Sequence, residues 1–229
     1  MAGWKACIFD LDGTLLNTLE SMWVSVNKTL DEMGLFPITE EQCRKFVGQG
    51  ADHLIRESLK AAGDPDAERF GEAREIYQRV FRTGCVYHNK YYPGVKEILG
   101  NLKKRGVKLA VLSNKQNEMT KRVIETAYGR ELFDVILGQK DSRPRKPDPA
   151  GVYEALKLLG ADKEDCLYIG DSEIDARTGR NAGLCTAIVT WGFRSREVVA
   201  AENPNVLIDT ADELERCILT GQTKSGPVY

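Results

Sequence analysis

Histidine is nearly missing from this chain: His53 and His88 are the only two among 229 residues. A catalytic triad built on imidazole or a histidine-rich zinc centre is therefore not expected. The six cysteines, at positions 7, 43, 85, 166, 185 and 217, are scattered, with no C-x-x-C pair and no metal-like spacing. Cys7, Cys166 and Cys185 fall inside apolar runs, where a thiol acts as a small hydrophobe. This usage fits a reducing, cytoplasmic setting. Net charge is also small: 32 basic against 34 acidic residues leave −2. That balance argues against nucleic-acid or membrane-surface binding by the chain as a whole. No apolar run approaches the length of a membrane span. No internal repeat or low-complexity segment is present. The first strand begins so soon after Met1 that no room for a signal peptide is expected.

What is present is a core-forming composition, 42% hydrophobic, at a length that suits one large domain or a core domain with an insertion. The most informative stretch is Asp10-Leu11-Asp12-Gly13-Thr14. It follows Ala6-Cys7-Ile8-Phe9, which reads as a buried strand. Carboxylates are costly to bury, so two of them at the end of a core strand call for a metal, a phosphate site or both. Asp and Gly are also ordinary turn residues, and the rest of the chain has to decide between the two readings.

Beyond that stretch the pattern is helical as far as residue 83. Leu19, Met22, Trp23, Val26, Leu30 and Met33 recur at three- and four-residue steps. Thr39-Glu40-Glu41-Gln42 resembles a capping box, and further helices are expected over 52–62 and 66–82. From residue 92 onward, strands alternate with helices. Strands are expected at 107–112, 133–137, 166–169, 185–189 and 206–208. Helices are expected at 95–104, 118–127, 148–159, 173–181, 195–201 and 211–219. This order predicts an α/β fold, a Rossmann-like parallel sheet core with an inserted α-helical cap domain. The core would comprise residues 1–16 and 88–229 and the cap residues 17–87, with a frayed tail over 220–229.

Open parallel sheets bind ligands beyond the carboxyl ends of their strands. At those ends stand residues 10–12, 113–115, 138–140 and 170–172. Three carboxylates, a hydroxyl and lysines from distant parts of the chain would therefore share one rim.

Four segments now carry a resemblance: Asp10-Leu11-Asp12-Gly13-Thr14-Leu15, Ser113-Asn114-Lys115, Lys146-Pro147-Asp148-Pro149 and Gly170-Asp171-Ser172-Glu173-Ile174-Asp175. In this order and spacing they resemble the motifs of the haloacid dehalogenase superfamily. With Val47-Gly48-Gln49-Gly50-Ala51-Asp52 and Thr190-Trp191-Gly192-Phe193, the chain looks like its phosphoglycolate phosphatase-like branch. The resemblance implies a magnesium-dependent phosphomonoester hydrolase. Asp10 would be the nucleophile that forms an aspartyl-phosphate, and Asp12 the acid and then the base. Ser113 and Lys146 would hold the phosphoryl group, helped by backbone N–H groups of Leu11, Asp12 and Asn114. Asp171, with the Asp10 carboxylate and the Asp12 carbonyl, would bind Mg2+.

Each position also has a plainer reading. Ser113 would serve as a helix N-cap, and Asp175 as a first-turn aspartate favoured by the helix dipole. Asp175 could instead bind metal through water or orient Lys146, while Thr14 would steady the first loop and Ser172 would cap a helix. Lys115, Lys140 and Arg145 rival Lys146 but are expected in solvent. Gly48 and Gly50 lack the third glycine of a dinucleotide fingerprint; with Gln49 they would face the active site. Arg44, His53 and Arg56 are candidates to contact a substrate carboxylate.

The expected partner is a small phosphorylated metabolite, 2-phosphoglycolate or a similar ester, handled by a monomer or homodimer without nucleic acid or membrane. Rival readings are a pyrophosphatase or nucleotide monophosphatase, or a sugar phosphomutase, whose basic cap loop is not seen. A phosphonoacetaldehyde hydrolase would need a cap lysine, for which Lys28, Lys45 and Lys60 are available but unmarked. A non-catalytic binding protein is disfavoured by intact Asp10, Asp12, Lys146 and Asp171.

Overall fold

A computed structural model of the chain describes residues 3–221. Ala6–Phe9 (β1) is buried at every position, as expected of a strand covered on both faces. A short strand, Leu16–Asn17 (β2), leads into four helices: Leu19–Glu32 (α1), Glu40–Phe46 (α2), Ala51–Ala62 (α3) and Phe70–Gly84 (α4). Lys90–Tyr91 (β3) pairs antiparallel with β2, so the chain enters and leaves the helical insertion through one two-stranded neck. Alternation follows: Val95–Lys104 (α5), Lys108–Gln116 (β4), Asn117–Tyr128 (α6), Val135–Gln139 (β5), Ala150–Leu159 (α7) and Cys166–Gly170 (β6). The last elements are Glu173–Ala182 (α8), Cys185–Val189 (β7), Arg196–Ala200 (α9), Val206–Ile208 (β8) and Ala211–Thr220 (α10).

Six strands form one parallel sheet in the order β5-β4-β1-β6-β7-β8. The fold is α/β, as the alternation predicts. β1 lies at the point where the chain changes direction across the sheet, the place where such sheets open a crevice. Side chains of β1 alternate between the two faces. Cys7 and Phe9 join the apolar cluster that continues into the helical insertion, and Ala6 and Ile8 join the cluster with Val152, Leu156 and Tyr168 on the other face. In the insertion, α1 packs against α2, α3 and α4, burying Leu19, Met22, Val26 and Leu30 at helical spacing. Thr39 and Gln42 form the capping box of α2. No helix among the described residues is long and apolar enough to cross a membrane.

Several boundaries differ from expectation; the strand expected over 133–137 is Val135–Gln139, and the helix expected from 148 starts at Ala150. α4 begins at Phe70 rather than 66, because the Asp64 carboxylate accepts the N–H groups of Glu68 and Arg69, both at 3.0 Å, and holds that stretch as a turn. β4 runs past Leu112 to Gln116, with its register to β5 shifted over that end. Ser113 is therefore a strand residue and no helix cap; Gln116 occupies that place for α6. Thr220, expected in a frayed tail, ends α10, with Gly221 as its left-handed C-cap. The remainder of that tail, 222–229, lies outside the described residues, as do Met1 and Ala2.

Candidate active site

The sheet register places the site. Phe9 pairs with Val111 on one side and Ile169 on the other, so Asp10 emerges between the ends of β4 and β6. Its N–H still donates to Ile169 O at 2.8 Å. The chain then turns back. Leu11 is wholly buried, and its carbonyl accepts the N–H groups of Leu15 and Leu16 at 3.0 and 3.2 Å. Gly13 has φ +92, and a Cβ there would stand 2.3 Å from Asp171 Oδ2. Only glycine permits both the left-handed backbone and the close pass over that carboxylate.

Asp171 follows β6 and is 2% exposed. Its Oδ1 accepts from Thr14 Oγ1 at 3.1 Å and its Oδ2 from Phe193 N–H at 2.8 Å. Thr14 thus holds Asp171 as well as its own loop. Ser172 and Asp175 form a reciprocal capping box that opens α8. The capping reading of Ser172 and the first-turn reading of Asp175 are both correct, and Asp175 does more. It is fully buried. Its Oδ1 accepts from Lys146 Nζ at 2.8 Å and Tyr168 Oη at 3.1 Å. Its Oδ2 takes the Ser172 hydroxyl at 2.6 Å and the N–H groups of Asp171 and Ser172 at 3.3 and 3.2 Å.

Lys146 reaches the centre from the loop after β5. Its N–H donates to Asn114 Oδ1 at 2.9 Å, while Asn114 Nδ2 donates to Lys146 O at 3.2 Å and to Gly48 O at 3.1 Å. The Asn114 amide therefore ties β4 to the lysine loop and to the helical insertion. Lys146 Nζ also lies 2.9 Å from Asp10 Oδ1. Among the described residues that ammonium is the charged partner of the Asp10 carboxylate.

Asp10, Asp171 and Asp175 each bring one carboxylate oxygen within 4.8 Å of the others, with Lys146 as the ammonium among them. Burial, opposed by Lys146 and reinforced by the charges of Asp175 and Asp12, pushes Asp10 up to about 7. Burial and the charges of Asp175 and Asp10 hold Asp171 well above the carboxylate range. Burial alone would lower Lys146; the attraction of Asp10 and Asp175 outweighs it and holds the ammonium charged. A cluster of three carboxylates around one ammonium, with hard oxygen donors, fits a divalent cation such as Mg2+. Asp10 and Asp171 are the carboxylates able to hold it, since five donors already occupy Asp175.

Asp12 faces the other side of the loop. Its Oδ1 accepts from Thr18 Oγ1 and Lys115 Nζ, both at 2.5 Å. Lys115, expected in solvent, has a side chain only 4% exposed. The reason is the longer β4: Ser113 and Lys115 stand two residues apart on one strand face, so the lysine shares the serine's rim. Its ammonium also sits 5.3 Å from the centre of the Phe81 ring. Lys140 and Arg145 are exposed, as expected.

A cavity of about 70 Å³ opens over Asp10, Asp12, Ser113, Asn114 and Lys146. Its walls are apolar: Met22, Val47, Leu54, Phe81, Met119 and Phe193, with Tyr77 and Gln78 beside them. Gly48 and Gly50 line it, but Gln49, Arg44 and His53 do not. Arg44 is held by Glu40 and Glu41 on its own helix, at 3.5 and 3.7 Å. α3 presents Ala51 and Leu54 to the cavity, and His53, one step from Leu54, is rotated off that line. Arg56 lies over the Phe70 ring at 3.6 Å. Sequence reading missed Arg194, whose guanidinium spans Glu173 at 3.1 Å and the carbonyls of Arg44 and Val47 at 2.9 and 2.7 Å. It bridges the core to the helical insertion. Tyr168 was missed as well, because an apolar strand run hides a hydroxyl aimed at Asp175.

The sequence and the fold are similar to those of known proteins. Residues 7–189 match the model of the haloacid dehalogenase-like hydrolases. The phosphoglycolate phosphatase of Aquifex aeolicus is 33% identical over 190 residues, 82% of this chain and 86% of that protein. That of Rhodobacter capsulatus is 38% identical over 190 residues, 82% of this chain and 85% of its own. A Lactobacillus delbrueckii subsp. bulgaricus structure, assigned as a phosphoglycolate phosphatase, superposes with a TM-score of 0.86 at 32% identity, covering 95% of this chain and 99% of its own. The chain belongs to the haloacid dehalogenase-like hydrolase family and is a phosphatase.

Proposed function

We propose that the protein is a magnesium-dependent phosphomonoester hydrolase that acts on a small phosphorylated metabolite through an aspartyl-phosphate on Asp10. The observation that carries this reading is Asp10, whose carboxylate pairs with the Lys146 ammonium at 2.9 Å and which lines a cavity together with Asp12, Ser113 and Lys146. A carboxylate so placed is a candidate nucleophile. Asp12 protonates the departing alcohol and then takes a proton from the water that opens the acyl phosphate. Thr18 and Lys115 fix its carboxyl group for both transfers. Ser113 and Lys146 orient the phosphoryl oxygens, and Lys146 balances charge as the phosphoryl group moves. Bound at Asp10 and Asp171, Mg2+ supplies further charge neutralisation for the phosphoryl oxygens. The helical insertion acts as a cap, its apolar wall excluding bulk water.

Small cavity volume supports a small ester, and the names of the relatives make 2-phosphoglycolate the first natural ester to assay. The reaction itself is tested with p-nitrophenyl phosphate. Wild-type protein with magnesium should release inorganic phosphate and, on rapid quenching, carry the mass of one phosphoryl group. Asp10→Asn should do neither. An active Asp10→Asn protein would remove Asp10 as nucleophile. Conversion of a sugar 1-phosphate into its 6-phosphate without free phosphate would mark a phosphomutase instead. Pyrophosphate or a nucleoside monophosphate as the best substrate would replace the small ester.

A further inference from the structure

We infer that the preferred ester carries a second anionic group, a carboxylate or a second phosphate, and that Arg82 of the helical insertion and Arg122 of the core read it. The inference rests on the phosphatase reading above, which seats the phosphoryl group at Asp10, Ser113 and Lys146. The active-site cavity does not end at its apolar wall. Ala51, Gln78, Asn114, Gln116 and Met119 line both that cavity and a wider groove of about 800 Å³. An alcohol bound to the phosphoryl group therefore has a path past Gln78 and Met119 into the groove.

Arg74, Arg82, Arg122, Lys140 and Arg145 line the groove and outnumber its acids, Asp52, Glu118 and Asp141. Asp52 already serves two of the cations, Arg74 at 3.2 Å and Arg145 at 3.3 Å. Among the described residues, Arg82, Arg122 and Lys140 have no carboxylate partner. Helix periodicity brings two of these to the cavity's edge. Arg82 stands four residues after Gln78 on α4, and Arg122 three residues after Met119 on α6. Each therefore shares a helix face with a residue that lines both spaces. The two faces meet at the seam, where Arg122 Nη1 donates to Arg82 O at 2.7 Å. That carbonyl lies in the last turn of α4, where the helix dipole favours a cation. Like charges from the insertion and the core thus line one opening, and an anion between them relieves their repulsion.

Cations nearer the phosphoryl site are engaged. Lys115 and Lys146 hold Asp12 and Asp10. Arg44 pairs with Glu40 and Glu41 and lies 6.0 Å over the Phe193 ring. Arg194 is the strongest rival, because it lines a small pocket with Asp10, Asp12, Lys146 and Asp171. That pocket lies on the side of Asp10 that faces Asp171, and Arg194 already donates to Glu173 and to the carbonyls of Arg44 and Val47. Arg82 and Arg122 are exposed, so an anion between them keeps part of its water. Two such contacts are worth about tenfold in binding.

The experiment measures kcat and KM for 2-phosphoglycolate and 3-phosphonooxypropanoate against their uncharged counterparts, ethyl and propyl phosphate, using the full chain with magnesium. Ethane-1,2-diyl bisphosphate tests phosphate as the second group, and p-nitrophenyl phosphate reports the reaction itself. The anionic esters should exceed their counterparts in kcat/KM by about tenfold, chiefly through KM. Sodium chloride at about 1 M should shrink that ratio. Whichever of the carboxylates and the bisphosphate gives the larger ratio names the second group. Arg82→Gln combined with Arg122→Gln should bring the ratio to about one, and each single change should lower it about threefold. Arg82→Lys with Arg122→Lys should keep most of it. A wild-type ratio near one overturns the inference. So does a ratio that survives the double glutamine variant, and its loss in Arg194→Gln would then move the reader to that residue. Turnover of p-nitrophenyl phosphate leaves the reaction standing in each case. No turnover of any ester removes the reaction and the inference together. Should the double variant fail to fold, the single changes decide, and a ratio unmoved in both overturns the role of the arginines.

Discussion

Replacing Lys146 by methionine keeps the length of the side chain and removes the ammonium that lies 2.9 Å from Asp10 and 2.8 Å from Asp175. Taking one partner from a buried ion pair costs about 3–5 kcal/mol, because the remaining charge is left without compensation. The cost should also depend on pH. In the wild type, burial raises Asp10 to about 7 against the pull of Lys146; without that pull it rises further. An acid whose folded pKa is raised holds a proton that the unfolded chain has released. Its stabilising effect is complete below about 4 and is lost as pH climbs through the folded value. For wild-type Asp10 that loss ends just above 7. In Lys146→Met it continues at about 1.4 kcal/mol per pH unit. Asp171 is held high by burial, Asp175 and Asp10, so it adds a similar slope to both proteins. The stability difference should therefore grow by about 3 kcal/mol between pH 7 and 9. Urea unfolding of both proteins with EDTA at several pH values measures it. Magnesium should flatten the wild-type slope, since a cation bound to carboxylates favours their ionised form. A difference below about 1 kcal/mol at pH 7, or one that does not change with pH, would refute the account of Lys146 as the counter-ion of Asp10.

Three other outcomes follow from the geometry. Lys115→Met should lower kcat by about tenfold or more with little change in KM, because Asp12 loses the ammonium that orients it; an unchanged kcat would reduce Lys115 to a packing role. Gly192→Ala puts a Cβ 2.2 Å from Asp171 Oδ2, and displacing that carboxylate should raise the magnesium concentration needed for half-activity by about tenfold or more. A magnesium titration that superimposes on the wild type would contradict this. Arg194→Met cuts the bridge from Glu173 to the carbonyls of Arg44 and Val47. It should change kcat and KM together and speed amide exchange in residues 40–63, and failure of both to move would show that the bridge does not hold the cap.

The parts of the site that were legible in the sequence are those tied to strand ends. A buried apolar run followed by a polar turn marks its own boundary, so Asp10, Asp12 and Asp171 could be placed on one rim from the alternation alone. Ser172 and Asp175 were legible because capping chemistry has a fixed spacing. Lys115 was not. β4 continues for four residues after its apolar run ends at Leu112, and nothing local says that Ser113-Asn114-Lys115-Gln116 is still extended. The apolar wall of the cavity was illegible for a different reason. Met22, Leu54 and Phe81 have the helical spacing of ordinary core residues, and which of them face a cavity depends on how four helices pack. The charged residues that looked informative, Arg44, His53 and Arg56, obey local chemistry instead: an i,i+4 partner, a helix phase and a stacked ring.

Three buried aspartates around one lysine would look interchangeable if only their charges were counted. Their hydrogen bonds distinguish them. Asp175 accepts from five donors across both oxygens, so neither a metal nor a phosphorus atom can approach without breaking that set; its fitting role is to aim Lys146. Asp171 has one donor on each oxygen, Thr14 and Phe193 N–H. These fix its direction and leave lone pairs for a cation. Asp10 has the fewest: among the described residues its carboxylate pairs with the Lys146 ammonium alone, at 2.9 Å. A carboxylate held by one ammonium and otherwise unengaged is the one left to react. The order of decreasing satisfaction, Asp175, Asp171, Asp10, is thus the order of increasing chemical availability. It supports the proposed positioning, metal-holding and nucleophilic roles from the structure's own donors, independently of the sequence motifs in which the three residues lie.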